Sequence, residues 1–356
     1  MNARISNMPT DSMRLGKTRG LRRMADDAGH FTMVALDQRP PIANLVAAKR
    51  GIAPSQVSFA DMIAVKRLLV EILGPKASAM LLDPNYAVPA ALDQLPARTG
   101  MLVTLEDHRF QDTPGGRLSH SIRDWSVEKI KRMGADGVKV LAWYRPDASP
   151  EVLAHQKHYV RQVGEECRHH DMAYVLELLT YPFQQQAGHP SHSAEAADKL
   201  PQRVLDSVRE FARPEYGVDL FKLESPLPGA GLPETDGSTA HQQAQQLFNA
   251  MGELCREADI PWVMLSAGVT AEQFLRVMRY AYAGGANGFL AGRAIWWEAL
   301  QHFPDLPACR AALQATGTQT LQSLALLTRE RAKGWAPDYS ALGQLTYEGE
   351  FCTACA

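Results

Sequence analysis

GVDLFKLESP, residues 217–226, is an apolar run broken at its centre by a lysine and closed by a glutamate, a serine and a proline. Its apolar residues are nearly continuous rather than alternating, which is the pattern of a parallel strand covered on both faces. Seven further runs of the same kind recur along the chain: FTMVAL (31–36), SAMLLD (78–83), GMLVTL (100–105), GVKVLAW (137–143), AYVLEL (173–178), PWVMLS (261–266) and NGFLAG (287–292). Helix-like stretches separate them. SVEKIKRMG (126–134) sets Val127, Ile130 and Met133 on one face and stops at Gly134. Ser149 followed by Pro150 reads as an N-cap with proline at the first helical position, and Thr270 with Gln273 as a capping box. Strand and helix alternating to a count of eight predict an α/β fold, a closed (β/α)8 TIM barrel. The alternative, an open doubly wound sheet, lacks its G-x-G-x-x-G after the first strand.

The chain of 356 residues is long for one average domain and normal for a barrel with extensions. It is read as a single domain over 1–356, with the barrel core at about 28–303, an amphipathic helical extension at about 305–335 and a polar tail at 336–356. With 46% hydrophobic residues a sizeable core can be buried, and a net charge of −2 gives no electrostatic reason to expect nucleic acid or an anionic membrane as partner. The first twenty residues carry basic side chains without an apolar segment behind them, and no stretch of about eighteen apolar residues occurs. Five cysteines do not make a disulfide framework in a chain this long, so a reduced, cytoplasmic setting is expected.

Chemistry in such barrels sits at the C-terminal strand ends. Lys222 lies inside its run and is expected to point into the barrel. Burial disfavours an ammonium, and a neutral amine attacks a carbonyl carbon; the plain alternative is a lysine that snorkels out of a frayed strand end. Lys139, inside DGVKVLAWY, is a second cation that would depress a nearby amine further, bind a substrate hydroxyl or phosphate, or simply pair with a barrel carboxylate. Glu177, inside YVLELLTYP, is costly in an apolar strand unless paired, with Lys139 or Lys222 as partners, and is a candidate proton carrier. Glu224 shares a face with Lys222 by the period of two, as a charge partner, a substrate contact or a solvated acid. Asp37, Asp83 and Asp107 follow the first three runs, and each is either a contact for ligand hydroxyls or a turn-forming Asp. Ser266-Ala267-Gly268 and Gly292-Arg293 follow the seventh and eighth runs, the usual phosphate site of such barrels. Arg293 would add a bidentate charged contact.

Other features carry less. Cys352 and Cys355 form a C-x-x-C in the tail without two further soft ligands nearby. His169-His170-Asp171 ends a helix, where cations suit the dipole, and His189 and His192 sit in a Pro/Ser loop. Of eleven histidines only His30 and His108 lie near a strand end, which argues against a multi-histidine zinc site.

Taken together, VALDQR (34–39), DWSVEKIKRMGADGVKVLAWY (124–144), LELLTYP (176–182), GVDLFKLESP (217–226), LSAGVT (265–270) and NGFLAGRAIWWEAL (287–300) resemble the class I tagatose-1,6-bisphosphate aldolase family, among the Schiff-base barrel aldolases. The resemblance implies a retro-aldol cleavage with Lys222 forming the Schiff base, assisted by Glu177 and Lys139. It implies that Asp37 and Gln38 contact substrate, and that Ser266, Gly268, Gly292 and Arg293 hold the phosphate of a dihydroxyacetone phosphate half. No cofactor and no metal are expected; the partner is a small phosphosugar, tagatose 1,6-bisphosphate being the first candidate, and the enzyme is expected to be a homo-oligomer. Two prolines, Pro40 and Pro41, follow the first segment where the family has a small or hydroxylated residue. The loop 183–197 and the tail are further departures. A sulfofructose 1-phosphate aldolase on the same scaffold, a phosphosugar isomerase or epimerase, and a ligand-sensing barrel are the competing readings.

Overall fold

The computed structural model describes residues 15–182 and 199–337. The loop 183–197, the C-x-x-C at Cys352 and Cys355, His189, His192 and nearly all of the tail lie outside the described residues.

Eight parallel strands close into a barrel in the order β1-β10-β9-β8-β7-β6-β3-β2. They are β1 (Phe31–Leu36), β2 (Ala79–Leu82), β3 (Gly100–Thr104), β6 (Gly137–Trp143), β7 (Ala173–Leu179), β8 (Leu220–Leu223), β9 (Trp262–Met264) and β10 (Gly288–Ala291). Each falls on one of the eight apolar runs. The remaining two, β4 (Gln111–Thr113) and β5 (Gly116–Leu118), form a small antiparallel hairpin beyond the end of β3 that the sequence reading missed.

The strands explain their own composition. Phe31, Met33 and Ala35 of β1, Ala79 and Leu81 of β2, Leu102, Ala173, Val175, Leu220, Val263 and Leu290 pack together as one cluster inside the barrel. The alternate residues, such as Val34, Met80, Val103, Val138 and Leu176, join the much larger layer between strands and helices. A side-chain period of two therefore yields unbroken apolar runs, because both faces are covered. Continuing the inner face toward the strand C-termini gives Asp37 after Ala35, Glu177 after Val175 and Lys222 after Leu220. The interior is apolar below and charged above.

A helix, α1 (Leu15–Met24), lies across the N-terminal end and contributes Leu21 and Met24 to the inner cluster. It is fastened by Lys17 to Asp219 at 2.7 Å and by Arg23 to Asp136 at 3.1 Å. The outer helices start as the sequence predicts. Ser149 accepts from the Val152 N–H with Pro150 behind it, Ser126 accepts from Lys129, and Thr270 and Gln273 form the capping box. The predicted continuous helix at 305–335 is two helices, Leu306–Ala312 and Thr318–Arg331, joined by a π-turn at Leu313–Gly317. They lie against the barrel's own helices: the Tyr282 hydroxyl meets Thr328 Oγ1 at 2.5 Å, and Arg310 donates two hydrogen bonds to Glu71. Past Arg331 the chain runs back until Trp335 packs on Phe31 and donates its N–H to the Gly29 carbonyl.

Candidate active site

The pairing register sets the charged layer. Glu177 stands beside Lys222 across β7 and β8, and Thr104 beside Lys139 across β3 and β6. All the side chains involved are largely buried, Lys139 at 1% and Lys222 at 3% relative exposure, so neither lysine snorkels out. Lys139 Nζ meets three carboxylates, Glu106 Oε1 at 2.6 Å, Glu177 Oε2 at 2.6 Å and Asp37 Oδ2 at 3.0 Å. The other oxygen of Glu177, Oε1, lies 2.9 Å from Lys222 Nζ. One carboxylate thus spans both lysines, which answers the open question of which of the two it pairs with.

The electrostatics follow from that crowding. Burial works against the Lys139 cation, but Asp37, Glu106 and Glu177 together push its pKa well above the ordinary lysine value. Burial alone would raise Asp37, and the charges of Lys139 and Lys222 overcome it and hold the carboxyl well below the usual range. Burial dominates at Glu106, with Lys139 only partly compensating and Asp37 adding repulsion, so its carboxyl is pushed up. Glu224 Oε1 accepts the Thr180 N–H at 2.5 Å; burial nevertheless lifts its pKa to about 7, and Glu177 adds to the rise.

Several acceptors in this layer are left over. Asp37 Oδ1, Gln38 Oε1 and Glu106 Oε2 are buried with no hydrogen-bond partner among the described residues. Orphaned buried acceptors are expensive unless something polar meets them, and two of the three belong to carboxylates that share Lys139.

The two segments singled out for anion binding come together. Ala267 and Gly268 both adopt positive φ, at 48° and 83°, which turns the backbone ahead of the helix Ala271–Ala283. A Cβ on Gly268 would stand 2.8 Å from the Arg293 guanidinium carbon, so the arginine lies flat against that turn. A Cβ on Gly292 would meet the Ala35 carbonyl at 2.7 Å and Gln38 Nε2 at 2.9 Å. Gly292 is required by this close backbone approach, and Gly268 by its positive φ. Arg293 is exposed and forms no ion pair among the described residues, which leaves its five N–H donors free. Ser266 is buried beside this turn, and its carbonyl accepts the Val269 N–H.

Asp83 is a turn former. It is fully buried, pairs with Lys66, and accepts the N–H groups of Asn85 at 3.0 Å, Tyr86 at 2.8 Å and Ala87 at 3.2 Å. Lys66 also donates to the Leu36 carbonyl at 2.6 Å, one residue before Asp37. Asp107 is held by Arg109 through Nε at 3.2 Å and Nη2 at 2.9 Å. The acid that joins the charged layer is its neighbour Glu106, which the sequence reading passed over, although the period of two through Leu102 and Thr104 points to it. Arg39 was also passed over; it is 5% exposed and lines a cavity of about 310 Å³ with Asn85, Tyr86 and Asp107.

Comparison with known proteins gives the family of the chain. Residues 31–298 match the model of the DeoC/LacD family aldolases. A tagatose 1,6-diphosphate aldolase 2 from Enterococcus faecalis is 32% identical over 328 residues, covering 90% of this chain and 96% of the relative. A tagatose 1,6-diphosphate aldolase from Listeria innocua is 32% identical over 336 residues, covering 92% and 95%. Among solved structures, a fructose-bisphosphate aldolase from Plasmodium falciparum superposes with a TM-score of 0.61 at 16% identity, covering 93% of this chain and 98% of that one. An archaeal fructose-1,6-bisphosphate aldolase, with its catalytic lysine bound to a carbinolamine intermediate, gives 0.52 at 16% identity, over 87% and 98%. At that identity the two structures speak for the barrel fold alone, whereas the family match spans three quarters of the chain: this protein is a member of the DeoC/LacD family of aldolases.

Proposed function

We propose that this aldolase cleaves tagatose 1,6-bisphosphate reversibly to dihydroxyacetone phosphate and glyceraldehyde 3-phosphate through a Schiff base on Lys222. The observation that carries the reading is the buried Lys222 with one oxygen of Glu177 at 2.9 Å, in a layer that retains unpartnered acceptors. The relatives named for tagatose 1,6-diphosphate supply the substrate.

In this reading the neutral Lys222 amine adds to carbon 2 of the ketose, and Glu177 takes up and returns the protons exchanged as the carbinolamine loses water. The protonated imine then withdraws the electron pair of the carbon 3–carbon 4 bond while a carboxylate of the Asp37, Glu106 and Glu177 group accepts the proton of the carbon 4 hydroxyl. The aldehyde leaves, an enamine remains, and protonation at carbon 3 followed by hydrolysis releases dihydroxyacetone phosphate and regenerates the amine. Lys139 holds the three carboxylates in place. Gln38 binds substrate beside Asp37, Glu224 lies next to the reacting lysine, and Ser266, Gly268, Gly292 and Arg293 hold the 1-phosphate. We read the chain as one aldolase domain working in the cytoplasm, with itself as its protein partner.

Borohydride reduction in the presence of dihydroxyacetone phosphate, followed by peptide mass spectrometry, tests the covalent step. The expected result is a reduced adduct on Lys222. An adduct on Lys139 would keep the reaction class and overturn the choice of nucleophile. Folded protein with no adduct at all would favour an isomerase or a sensor.

A further inference from the structure

We propose that Glu224 is the acid that gives up a proton when the carbinolamine hydroxyl leaves carbon 2 as water. This deepens the aldolase reading and rests on it. The need for such an acid follows from the proton count. A neutral amine adding to a ketone gives a neutral carbinolamine. Turning that into a protonated imine and water takes one further proton, because the hydroxyl leaves with its bonding pair while the nitrogen lone pair closes the C=N bond. Glu177 is not arranged to supply it. Its Oε2 lies 2.6 Å from Lys139 Nζ and its Oε1 2.9 Å from Lys222 Nζ, so both oxygens already face N–H donors. Glu177 can relay the proton that the adding amine sheds, but it has no free oxygen for another.

Glu224 is placed differently. Leu220, Lys222 and Glu224 follow one another on the inner face of β8 by the period of two, so this carboxyl stands one step above the reacting amine, at the rim. The Thr180 N–H, just past the end of β7, donates to its Oε1 at 2.5 Å and fixes the side chain. Few charges face it. β7 brings Glu177, its own strand brings Lys222 below, and β9 with its exit, residues 262–266, brings none. Among the described residues no lysine or arginine pairs with Glu224. Burial, with the repulsion of Glu177, outweighs the Thr180 hydrogen bond and lifts the carboxyl to about 7, so it keeps a proton where an ordinary glutamate has lost it.

Position and exposure separate Glu224 from the other buried acid. Glu106 is also pushed up by burial, but it follows β3, three places round the ring from β8, and Lys139 occupies its Oε1. Lys222 and Glu177 are 3% and 7% exposed, whereas Glu224 is partly open and can recover a lost proton from water. In the step itself the Glu224 O–H bond and the carbon 2–oxygen bond break, water leaves, and a carboxylate remains facing the new iminium cation, which it stabilises. When water later adds to the product iminium, the proton released returns to Glu224. No proton is consumed over the cycle.

The test is the rate of Schiff-base formation with dihydroxyacetone phosphate against pH, read by borohydride quenching, with kcat/KM for tagatose 1,6-bisphosphate alongside. Wild type should slow above pH about 7, by about tenfold per pH unit, as Glu224 loses its proton. Glu224→Gln keeps an acceptor for the Thr180 N–H but has no acid proton. It should lower both rates about 100-fold at pH about 6 and abolish the alkaline limb, while Lys222 is still labelled after long incubation. Glu224→Asp, which keeps an acid, should lose less than about 10-fold and retain the limb. A loss under about 3-fold in Glu224→Gln, or a loss equal at every pH with the limb intact, would overturn the proposal and leave Glu224 a tie for Thr180. Should that variant not fold, flat rates between about pH 6 and about pH 8.5 in both wild type and Glu224→Asp would overturn it equally. Wild-type protein that forms no adduct would end the aldolase reading and this proposal with it. A wild-type adduct on Lys222 with Glu224→Gln unaffected would remove only the role of Glu224.

Discussion

Of the buried lysines that meet carboxylates near the C-terminal ends of the strands, Lys66 and Lys222 differ in what is left unpaired around them. Lys66 and Asp83 are both 0% exposed, Lys66 also reaches the Leu36 carbonyl, and Asp83 accepts three backbone N–H groups. No side-chain nitrogen or oxygen of the pair lacks a partner. Lys222 makes a single ion pair among the described residues, to an oxygen of a Glu177 whose other oxygen belongs to Lys139, and three acceptors nearby have no partner. Burial and an apolar sequence context are common to both lysines. What separates them is surplus hydrogen-bonding capacity, and a site that must receive a polar ligand needs that surplus, whereas a structural pair is weakened by it.

The sharpest way to break this comparison is to remove the two amines in turn. Lys222→Ala should lower turnover at least about 1000-fold while the melting temperature stays within a few degrees of wild type. A variant that keeps more than a few percent of activity would end the assignment. Lys66→Met should do the reverse kind of damage, a loss of about 3–5 kcal/mol of stability in denaturant melts, because it strands a buried carboxylate. Adding Asp83→Asn should restore roughly half of that, since the amide oxygen still accepts the Asn85 and Tyr86 N–H groups without a charge, while the Ala87 N–H loses its acceptor. If Lys66→Met melts like wild type, the pair is not the structural fastener described here.

The smallest effect concerns Glu224, whose folded-state pKa of about 7 stands above the ordinary glutamate value of 4.5. The folded protein keeps a proton there that the unfolded chain has already lost. Stability from this group is therefore full below pH 4.5 and falls as pH rises to about 7, by at most roughly 3 kcal/mol. Glu224→Gln should flatten that part of the stability-versus-pH curve measured by urea melts. A variant curve parallel to wild type between those limits would show that the carboxyl is not held protonated.

Much of this was open to reading in the sequence because barrel strands are buried on both faces. Against such a background a lysine in VDLFKLE, another in GVKVLAW and a glutamate in YVLELLTYP stand out, and all three meet in one layer. Glu106 was harder because the third run ends in two successive acids, and only the inner-face register separates the one that reaches Lys139 from the one that turns toward Arg109. Arg39 and Lys66 depend on partners 46, 67 and 17 residues away, which no local pattern encodes. The β4–β5 hairpin is made of strands of three residues each, too short for a period to show. The break in the C-terminal helix is a change of hydrogen-bond register, invisible to an amphipathic pattern that continues through it.

The fastening of α1 has a practical corollary. Leu15 opens a helix bound to Asp136, Asp171 and Asp219, all at the entry to strands, and Trp335 returns to Gly29 at the entry to β1. Both ends of the described residues therefore lie on the underside of the barrel, opposite the charged layer. A dye carried on Leu15 or Trp335 would report from the side of the barrel away from Lys222.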